Sequence, residues 1–208
     1  MSSINLVLIG SGGHCRVIID AAKMLGLNIL GIIDIDYNGN KEEILEVPVI
    51  GGISTLNELD PKKVSVNVSI GDNLVREKFF SMAKAKGFST PSIISPTAFI
   101  SEYVKINDGS FINTAAVINV GAVIGENTII NTGAIIEHEV VIGKHCHVCP
   151  GVKIGGRVTI GDGAFIGIGT SVINSVSVGN YAIVGAGSVI IGDVEPNSKV
   201  VGVYGKKI

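Results

Sequence analysis

A strict six-residue period runs through the second half of the chain and limits its fold more than any other feature. From Ile94 to Ile190, every sixth residue is Ile or Val, seventeen positions in all, thirteen Ile and four Val. Four residues after each of them stands Ala, Val, Ser, Thr or Cys. A period of six fits neither an α-helix nor a long strand, but it fits short strands joined by tight corners. The repeat therefore predicts a parallel β-helix.

In such a solenoid, the large aliphatic residue would fill the axis of a coil, and the small residue would pack beside it where the chain turns. The residue directly after the aliphatic is often glycine or asparagine, and we expect these residues to supply the positive φ that corners need. One six-residue unit buries too little surface to be stable alone. Successive coils, each of three units, must therefore stack into one continuous core.

The first part of the chain alternates apolar strand patterns with helical patterns, which predicts a parallel, Rossmann-like sheet. Strands are predicted at residues 4–9, 28–34 and 64–70, with an edge strand at 47–51 because Pro48 removes a backbone donor. Helices are predicted at residues 15–25, at 54–59 and, after the N-cap Asp72, up to residue 86. We therefore expect two domains, residues 1–91 and residues 92–208.

Charge and cysteine content exclude several classes of partner. Sixteen basic and eighteen acidic residues leave a net charge of −2, so the chain has no excess of positive charge with which to bind nucleic acid or an anionic membrane. Three cysteines suggest no disulfide framework and suit a reducing compartment. The apolar start is too short for a signal sequence, and no run approaches the length of a membrane span. We expect a cytoplasmic protein that binds neither nucleic acid nor membrane.

A glycine-rich loop, Gly-Ser-Gly-Gly-His at residues 10–14, directly follows the first predicted strand. A dinucleotide site would need G-x-G-x-x-G; Gly10 and Gly12 fit, but Cys15 stands at the third glycine position. A mononucleotide fits better, since backbone N–H groups at a helix N-terminus suit a diphosphate. The alternative is that these glycines only make turns and that the nearby acidic residues are solvated.

The candidate nucleotide-binding residues all follow predicted strands, at the edge where open α/β sheets bind ligands. They are Gly10, Ser11, Gly12, Gly13, His14, Asp34, Asp36, Gly71, Asp72 and Asn73.

Three of the four histidines lie within ten residues, from His138 to His147. His138 comes two residues after an axial Ile and His147 five residues after the next one, so neither should point into the core. Cys146 occupies an inward position, whereas His145 and His147 should point outward, so these residues cannot converge on a metal ion. We expect no metal site. A Glu-His-Glu sequence with a further histidine nearby instead favours catalysis, with Glu139 beside His138.

The spacing between His138 and His147 indicates a shared site. Nine residues are half of a three-unit coil, so the two histidines project from different sides and cannot easily meet within one subunit. They could meet across an interface, and a prism with three flat faces packs naturally around a three-fold axis. We therefore predict a homotrimer with its active sites between subunits.

The uninterrupted hexapeptides resemble the left-handed β-helix acyltransferases, which use acetyl-CoA or other acyl donors. A narrower resemblance covers nearly the full chain and rests on residues 10–14, 33–36, 70–76 and 131–139, in that order. The chain is similar to the bacterial family that contains the bacillosamine and perosamine N-acetyltransferases and the sialic acid O-acetyltransferases. This resemblance implies a Rossmann-like α/β domain followed by a left-handed parallel β-helix.

The same resemblance implies roles for the histidine segment. His138 would be the general base, and Glu139 would orient and polarise it. His147 would contact acetyl-CoA near its thioester. Asn131 and the backbone N–H of Gly156 would lie around the acetyl group and its developing oxyanion.

Gly13, His14, Asp34 and Asp36 match the region that holds the nucleotide of a nucleotide-linked sugar in that family. Two departures from the family pattern stand out. Residues 201–206 replace the common G-x-P-A-K, which affects the exit of CoA. Ile35 separates two acids that are adjacent in some relatives, which affects nucleotide preference.

The function implied is direct transfer of an acetyl group from acetyl-CoA to the amino group of a nucleotide-linked 4-amino-4,6-dideoxy sugar. Such a reaction would feed the synthesis of bacterial surface glycans such as lipopolysaccharide. The nearest alternative is O-acetylation of sialic acid on the same scaffold. Alternatives from other classes are a nicotinamide-dependent oxidoreductase and a non-catalytic solenoid.

Overall fold

The computed structural model describes residues 5–40 and 42–202. The chain divides into two compact units between Pro96 and Thr97, a few residues after the boundary expected from the sequence. Ile4, at the start of the first predicted strand, and residues 203–206 of the C-terminal departure lie outside the described residues. Among the helices that are described, none is long and apolar enough to cross a membrane.

The first unit contains a five-stranded sheet in the order β3-β4-β2-β1-β5. Its strands are β1 (Asn5–Ile9), β2 (Asn28–Ile33), β3 (Glu43–Ile44), β4 (Val47–Gly51) and β5 (Ser65–Val68). All neighbours pair in parallel except β3 with β4. The inner strand β1, between β2 and β5, is apolar and fully buried from Leu6 to Ile9, as expected for a parallel strand covered on both faces. This confirms the predicted α/β class.

Two helices accompany this sheet, α1 (Gly13–Met24) and α2 (Asn73–Ala85), and the unit ends with β6 (Ile93–Ile94). The predicted N-cap of α2 is confirmed, because Asp72 Oδ1 accepts the N–H of Val75 at 2.9 Å. One prediction was wrong: the segment 47–51 is not the edge, since the two residues of β3 pair with it on the outer side. The short helix expected at 54–59 is present as a 3₁₀ helix, Ile53–Asn57.

The second unit is a solenoid of two-residue strands, and the first sixteen of them each end at one of the predicted aliphatic positions. They are β7 to β22: Phe99–Ile100, Lys105–Ile106, Phe111–Ile112, Val117–Ile118, Val123–Ile124, Ile129–Ile130, Ile135–Ile136, Val141–Ile142, His147–Val148, Lys153–Ile154, Thr159–Ile160, Phe165–Ile166, Ser171–Val172, Ser177–Val178, Ile183–Val184 and Val189–Ile190. A last strand, β23, spans Lys199–Val200.

The strands form three faces because, from β7 to β22, each pairs in parallel with the strand three places along the chain, and β21 pairs with β23. Val117 pairs with Ile135, for example, so one coil contains 135 − 117 = 18 residues. One face contains β7, β10, β13, β16, β19 and β22, the second β8, β11, β14, β17 and β20, and the third β9, β12, β15, β18, β21 and β23. The predicted parallel β-helix with three repeats per coil is confirmed.

The core of the solenoid consists of the two repeating positions that the sequence singled out. From Ile112 to Ile190, the aliphatic residues are at most 8% exposed, and from Ser110 to Val194 the small residues are at most 7% exposed. The stacked aliphatic side chains therefore form one continuous core.

The corners differ from the prediction. Positive φ occurs at the third residue after each aliphatic residue from Ile106 to Val184, not at the first. These residues are Gly109, Ala115, Gly121, Asn127, Gly133, Glu139, His145, Gly151, Arg157, Gly163, Gly169, Ser175, Tyr181 and Gly187. Glycines at the first position, such as Gly167, serve another purpose. A Cβ there would lie 2.6 Å from the backbone N of Ala186, so the next coil leaves no room for a side chain.

This difference predicts unequal costs for two neighbouring substitutions. Gly167→Ala would press a methyl group against the backbone of the next coil, which cannot move aside, at a cost of about 3 kcal/mol or more. Gly169 has φ +68° and nothing within 4 Å of its ideal Cβ, so Gly169→Ala would cost only the left-handed backbone strain, about 1 kcal/mol. Thermal unfolding of both variants tests this, and equal melting temperatures would contradict it.

Candidate active site

A cavity of about 430 Å³ opens at the carboxyl edge of the sheet in the first unit, where β1, β2 and β5 end. Its lining consists of Gly10, Ser11, Gly12, Gly13, His14, Asp34, Ile35, Asp36, Ser69, Ile70 and Gly71. Eight of the ten residues predicted to hold a nucleotide are thus brought together. The other two of the ten, Asp72 and Asn73, are described by the structure but do not line the cavity.

The glycines of this loop differ in what the fold requires of them. Gly10 has φ +106°, and a Cβ on it would lie 2.5 Å from Ile70 Cγ1, so the fold itself needs glycine there. Gly12 and Gly13 have ordinary backbone angles, and an added Cβ would find no atom within 4 Å. The missing side chains of Gly12 and Gly13 therefore keep the cavity open.

The first helix presents its N-terminus at this cavity. Gly12 is the N-cap of α1, with no side-chain cap and no acidic residue in the first turn. Backbone N–H groups of the first turn and the positive end of the helix dipole favour an anion there. The second helix is different, because the carboxylate of Asp72 already caps it.

Buried polar side chains hold the strand ends around the cavity. The hydroxyl of Ser69 is buried and lies 2.9 Å from the carbonyl of Ile9 and 2.8 Å from that of Gly10. The guanidinium of Arg76, 1% exposed, donates to the carbonyls of Ile70 and Gly71 at 3.2 and 3.1 Å. Asn73 belongs to the same hydrogen-bond network, since its Oδ1 accepts a hydrogen bond from Arg76 Nη2 at 2.9 Å.

In the second unit, His138 and Glu139 form a hydrogen-bonded pair that a third residue joins. His138 Nδ1 lies 3.2 Å from Glu139 Oε2, and Arg157 Nε donates to the same oxygen at 2.8 Å. The His138 and Glu139 side chains are 49% and 57% exposed. The hydrogen bond from Arg157, and then that from His138, lowers the pKa of Glu139 below its ordinary value. The carboxylate therefore stays ionised at neutral pH and holds the proton of His138 on Nδ1.

Gly156 lies directly against the imidazole of His138, one coil further along the chain. A Cβ on this buried glycine would lie 2.5 Å from His138 Nε2 and 2.6 Å from Cε1, so any side chain would displace the ring. Among the described residues, the N–H of Gly156 donates no hydrogen bond. The site thus combines a basic ring nitrogen with a nearby backbone donor.

His147 lies on a different face from His138. It begins β15, whereas His138 follows β13 by two residues. Its Nε2 lies 3.2 Å from Asn131 Nδ2, and its ring packs edge-on against that of Phe165 with centroids 5.4 Å apart. The structure thus pairs two of the predicted residues, His147 and Asn131.

The cysteines beside His147 are both buried. Cys146 is fully buried with its Sγ 3.0 Å from the carbonyl of Gly161, and burial raises the pKa of Cys149 to about 12. Across residues 5–40 and 42–202, no three His, Cys, Asp or Glu side chains are arranged to hold a metal ion.

Sequence reasoning missed Arg157, Asn113 and Ser69. A signal for the first two exists in the coil length, because Arg157 is eighteen residues after Glu139 and Asn113 eighteen residues before Asn131. Residues one coil apart stack on each other, so the repeat itself predicts such neighbours. Ser69 follows a strand end and has no comparable signal.

Comparison with known proteins identifies both units. Residues 5–83 match the PglD N-terminal domain, and residues 121–156 and 157–192 each match the bacterial transferase hexapeptide (six repeats). No curated protein sequence matches the chain at a significant level.

Two solved structures resemble nearly the whole chain. PerB from Caulobacter crescentus, in complex with CoA and GDP-perosamine, is 36% identical, with 95% of this chain and 94% of that chain covered and a TM-score of 0.90. The acetyltransferase domain of PglB from Neisseria gonorrhoeae, in complex with acetyl coenzyme A, is 32% identical, with 97% of both chains covered and a TM-score of 0.91. The chain therefore belongs to the PglD-like family of hexapeptide-repeat sugar N-acetyltransferases and is an acetyltransferase.

Proposed function

We propose that this protein transfers the acetyl group of acetyl-CoA to the amino group of a nucleotide-linked 4-amino-4,6-dideoxy sugar, for synthesis of a bacterial surface glycan. The observation that carries the proposal is the similarity over 95% of the chain to PerB, whose structure contains CoA and GDP-perosamine. Because the chain belongs to a family of acetyltransferases, we set aside the two alternative functions considered from the sequence, a nicotinamide-dependent oxidoreductase and a non-catalytic solenoid. The buried thiols of the three cysteines suit the reducing cytoplasm, where we place the reaction.

The cavity of the first unit suits the nucleotide part of this substrate. A diphosphate would bind at the N-terminus of α1, where Gly12 and Gly13 allow close approach. The carboxylates of Asp34 and Asp36 line the same cavity and would accept hydrogen bonds from the hydroxyl groups of a ribose. Asp72 and Asn73 would act indirectly, by supporting the start of α2.

The His138–Glu139 pair suits the proton transfer. The sugar amine must lose a proton as it attacks the thioester carbonyl, and His138 Nε2 would accept that proton because Nδ1 already donates to Glu139. The ionised carboxylate would then stabilise the imidazolium. Direct transfer needs no nucleophilic Cys or Ser.

A developing oxyanion on the thioester carbonyl requires a donor that is already in place. The N–H of Gly156, beside His138 and without an internal acceptor among the described residues, suits this task. We assign His147, held by Asn131, to contact with acetyl-CoA near the thioester. Because His147 and His138 lie on different faces, we propose a homotrimer in which neighbouring subunits each contribute one histidine to a site.

The substrate proposal is tested with the purified protein, acetyl-CoA and a panel of nucleotide-linked amino sugars. We expect CoA release, with an acetyl mass increment on at least one 4-amino sugar nucleotide. The matched controls are the same sugars without the nucleotide and free sialic acid. Acetylation of free sialic acid alone would favour the O-acetyltransferase alternative, and no CoA release with any nucleotide amino sugar would contradict the proposal.

The shared site is tested by mixing two inactive variants. His138→Ala should lower turnover about 10²- to 10⁴-fold without changing the oligomer, because it removes the general base. His147→Ala should also impair transfer. In trimers refolded from an equal mixture, about a quarter of the sites would combine intact histidines from two subunits, so activity should return to that extent.

His145→Asn is the matched control, because asparagine adopts the φ of +58° found at His145. We expect it to keep full activity. If the mixed trimers assemble and stay as inactive as either variant, the two histidines do not share a site across subunits.

The nucleotide cavity is tested by Gly12→Val. The extended backbone of Gly12 tolerates valine, at a cost in stability of about 1 kcal/mol at most, but the side chain enters the cavity. We expect the KM for the nucleotide sugar to rise roughly 10- to 100-fold. The KM for acetyl-CoA is the internal control and should not change; an unaltered KM for the sugar nucleotide would show that the loop does not bind it.

A further inference from the structure

A ladder of hydrogen bonds connects a buried asparagine to His147 across three successive coils. Asn113, 3% exposed, follows β9, Asn131 follows β12, and His147 begins β15. Asn113 Nδ2 lies 2.9 Å from Asn131 Oδ1, and Asn131 Nδ2 lies 3.2 Å from His147 Nε2. Asn113 is the member of this ladder that has no role in the function proposed above.

Backbone N–H groups fix the direction of every hydrogen bond in this ladder. The N–H of Thr114 donates to Asn113 Oδ1 at 2.7 Å, so the amide nitrogen of Asn113 must face Asn131. The N–H of Thr132 donates to Asn131 Oδ1 at 2.8 Å, so the amide nitrogen of Asn131 must face His147. A backbone N–H cannot reverse its role, and therefore neither amide can rotate by 180° without losing an acceptor.

Asn113 reinforces this direction with a second contact. Its Nδ2 also donates to Thr132 Oγ1 at 2.8 Å, so both of its amide protons and its oxygen are used. A buried amide with every group satisfied is rigid, because any other orientation leaves polar groups unpaired. Asn131 Oδ1 in turn accepts from Asn113 and from Thr132 together.

At the end of the ladder, the acceptor must be the unprotonated ring nitrogen of His147. Asn131 Nδ2 can donate hydrogen bonds but cannot accept them. A proton on His147 Nε2 would therefore place two donors against each other at 3.2 Å. We infer that Asn113 is a positioning residue that, through Asn131, holds His147 as the neutral tautomer with its proton on Nδ1. His147 is then unable to accept a proton on Nε2 and acts toward acetyl-CoA only as a hydrogen-bond donor.

This inference rests on the proposed function only where it concerns acetyl-CoA. The tautomer of His147 is a property of the folded protein and is measurable without any substrate. Failure of the tautomer prediction and failure of the substrate proposal are therefore separate results.

The first experiment is ¹⁵N NMR of the full chain labelled at histidine, of which the chain contains only four. The signals of His147 are assigned by their absence from a His147→Gln variant. We expect, at neutral pH, a protonated Nδ1 and an unprotonated Nε2. A protonated Nε2, or a mixture of tautomers, would overturn the inference, and this result needs no variant of Asn113.

The second experiment reverses the ladder with Asn113→Asp. The new carboxylate still accepts from Thr114, but it presents an oxygen where Asn113 Nδ2 had donated to Asn131 Oδ1. Asn131 should then turn its amide nitrogen toward the carboxylate and its oxygen toward His147, although the N–H of Thr132 loses its acceptor. A hydrogen bond to a charged carboxylate, in place of two facing oxygens, outweighs that loss of a neutral hydrogen bond. We expect the proton of His147 to move to Nε2, and kcat to fall roughly 10- to 100-fold with the KM for the nucleotide sugar unchanged.

Asn107→Asp is the matched control. Asn107 holds the same position in its repeat, directly after an axial Ile, but its Nδ2 donates to the carbonyl of Ile124 at 2.8 Å rather than to the ladder. This variant should leave the His147 tautomer unchanged. If Asn113→Asp lowers the melting temperature but keeps the wild-type tautomer, Asn113 is a packing residue and the inference fails.

Discussion

The eighteen-residue register between successive coils is the constraint on which the acetyl-transfer half of the molecule depends. From β7 to β22, each strand pairs with the strand one coil away, so a side chain there lies beside the residue eighteen positions earlier or later. Glu139 meets Arg157 in this way, and His138 meets Gly156. A loop would not hold such contacts in place, whereas stacked coils supply a rigid support for every one of them.

The first unit solves the same problem of placement by a different route. Its candidate ligand-binding groups are backbone atoms at the ends of parallel strands, and buried side chains such as Ser69 and Arg76 fix those ends from behind. The contrast between α1, which has no side-chain cap, and α2, which Asp72 caps, shows which helix N-terminus the fold leaves available. Gly12 and Gly13 have no conformational need to be glycine, so function explains them better than folding does.

Much of this was predictable because the six-residue period carries both the fold and the register. It located every strand from β7 to β22 and the inward and outward positions, including the buried Cys146. It did not distinguish a glycine required by positive φ from one required by a close neighbour, since both are simply glycine in the sequence. Segment 47–51 was misjudged because Pro48 suggested an edge, whereas two residues of β3 cover it. Contacts such as Arg157 with Glu139 needed the coil length to be applied to side chains as well as to strands.

His138 and His147 differ in what lies against Nε2, and that difference supports the separate roles proposed for them. In both, the arrangement favours a proton on Nδ1: Glu139 accepts it from His138, and the asparagine ladder requires it in His147. The Nε2 of His138 faces Gly156, where among the described residues no donor occupies it, so it can accept a proton. The Nε2 of His147 already accepts from Asn131. One histidine is therefore suited to act as a base and the other only as a donor, although the sequence shows the same residue at both positions.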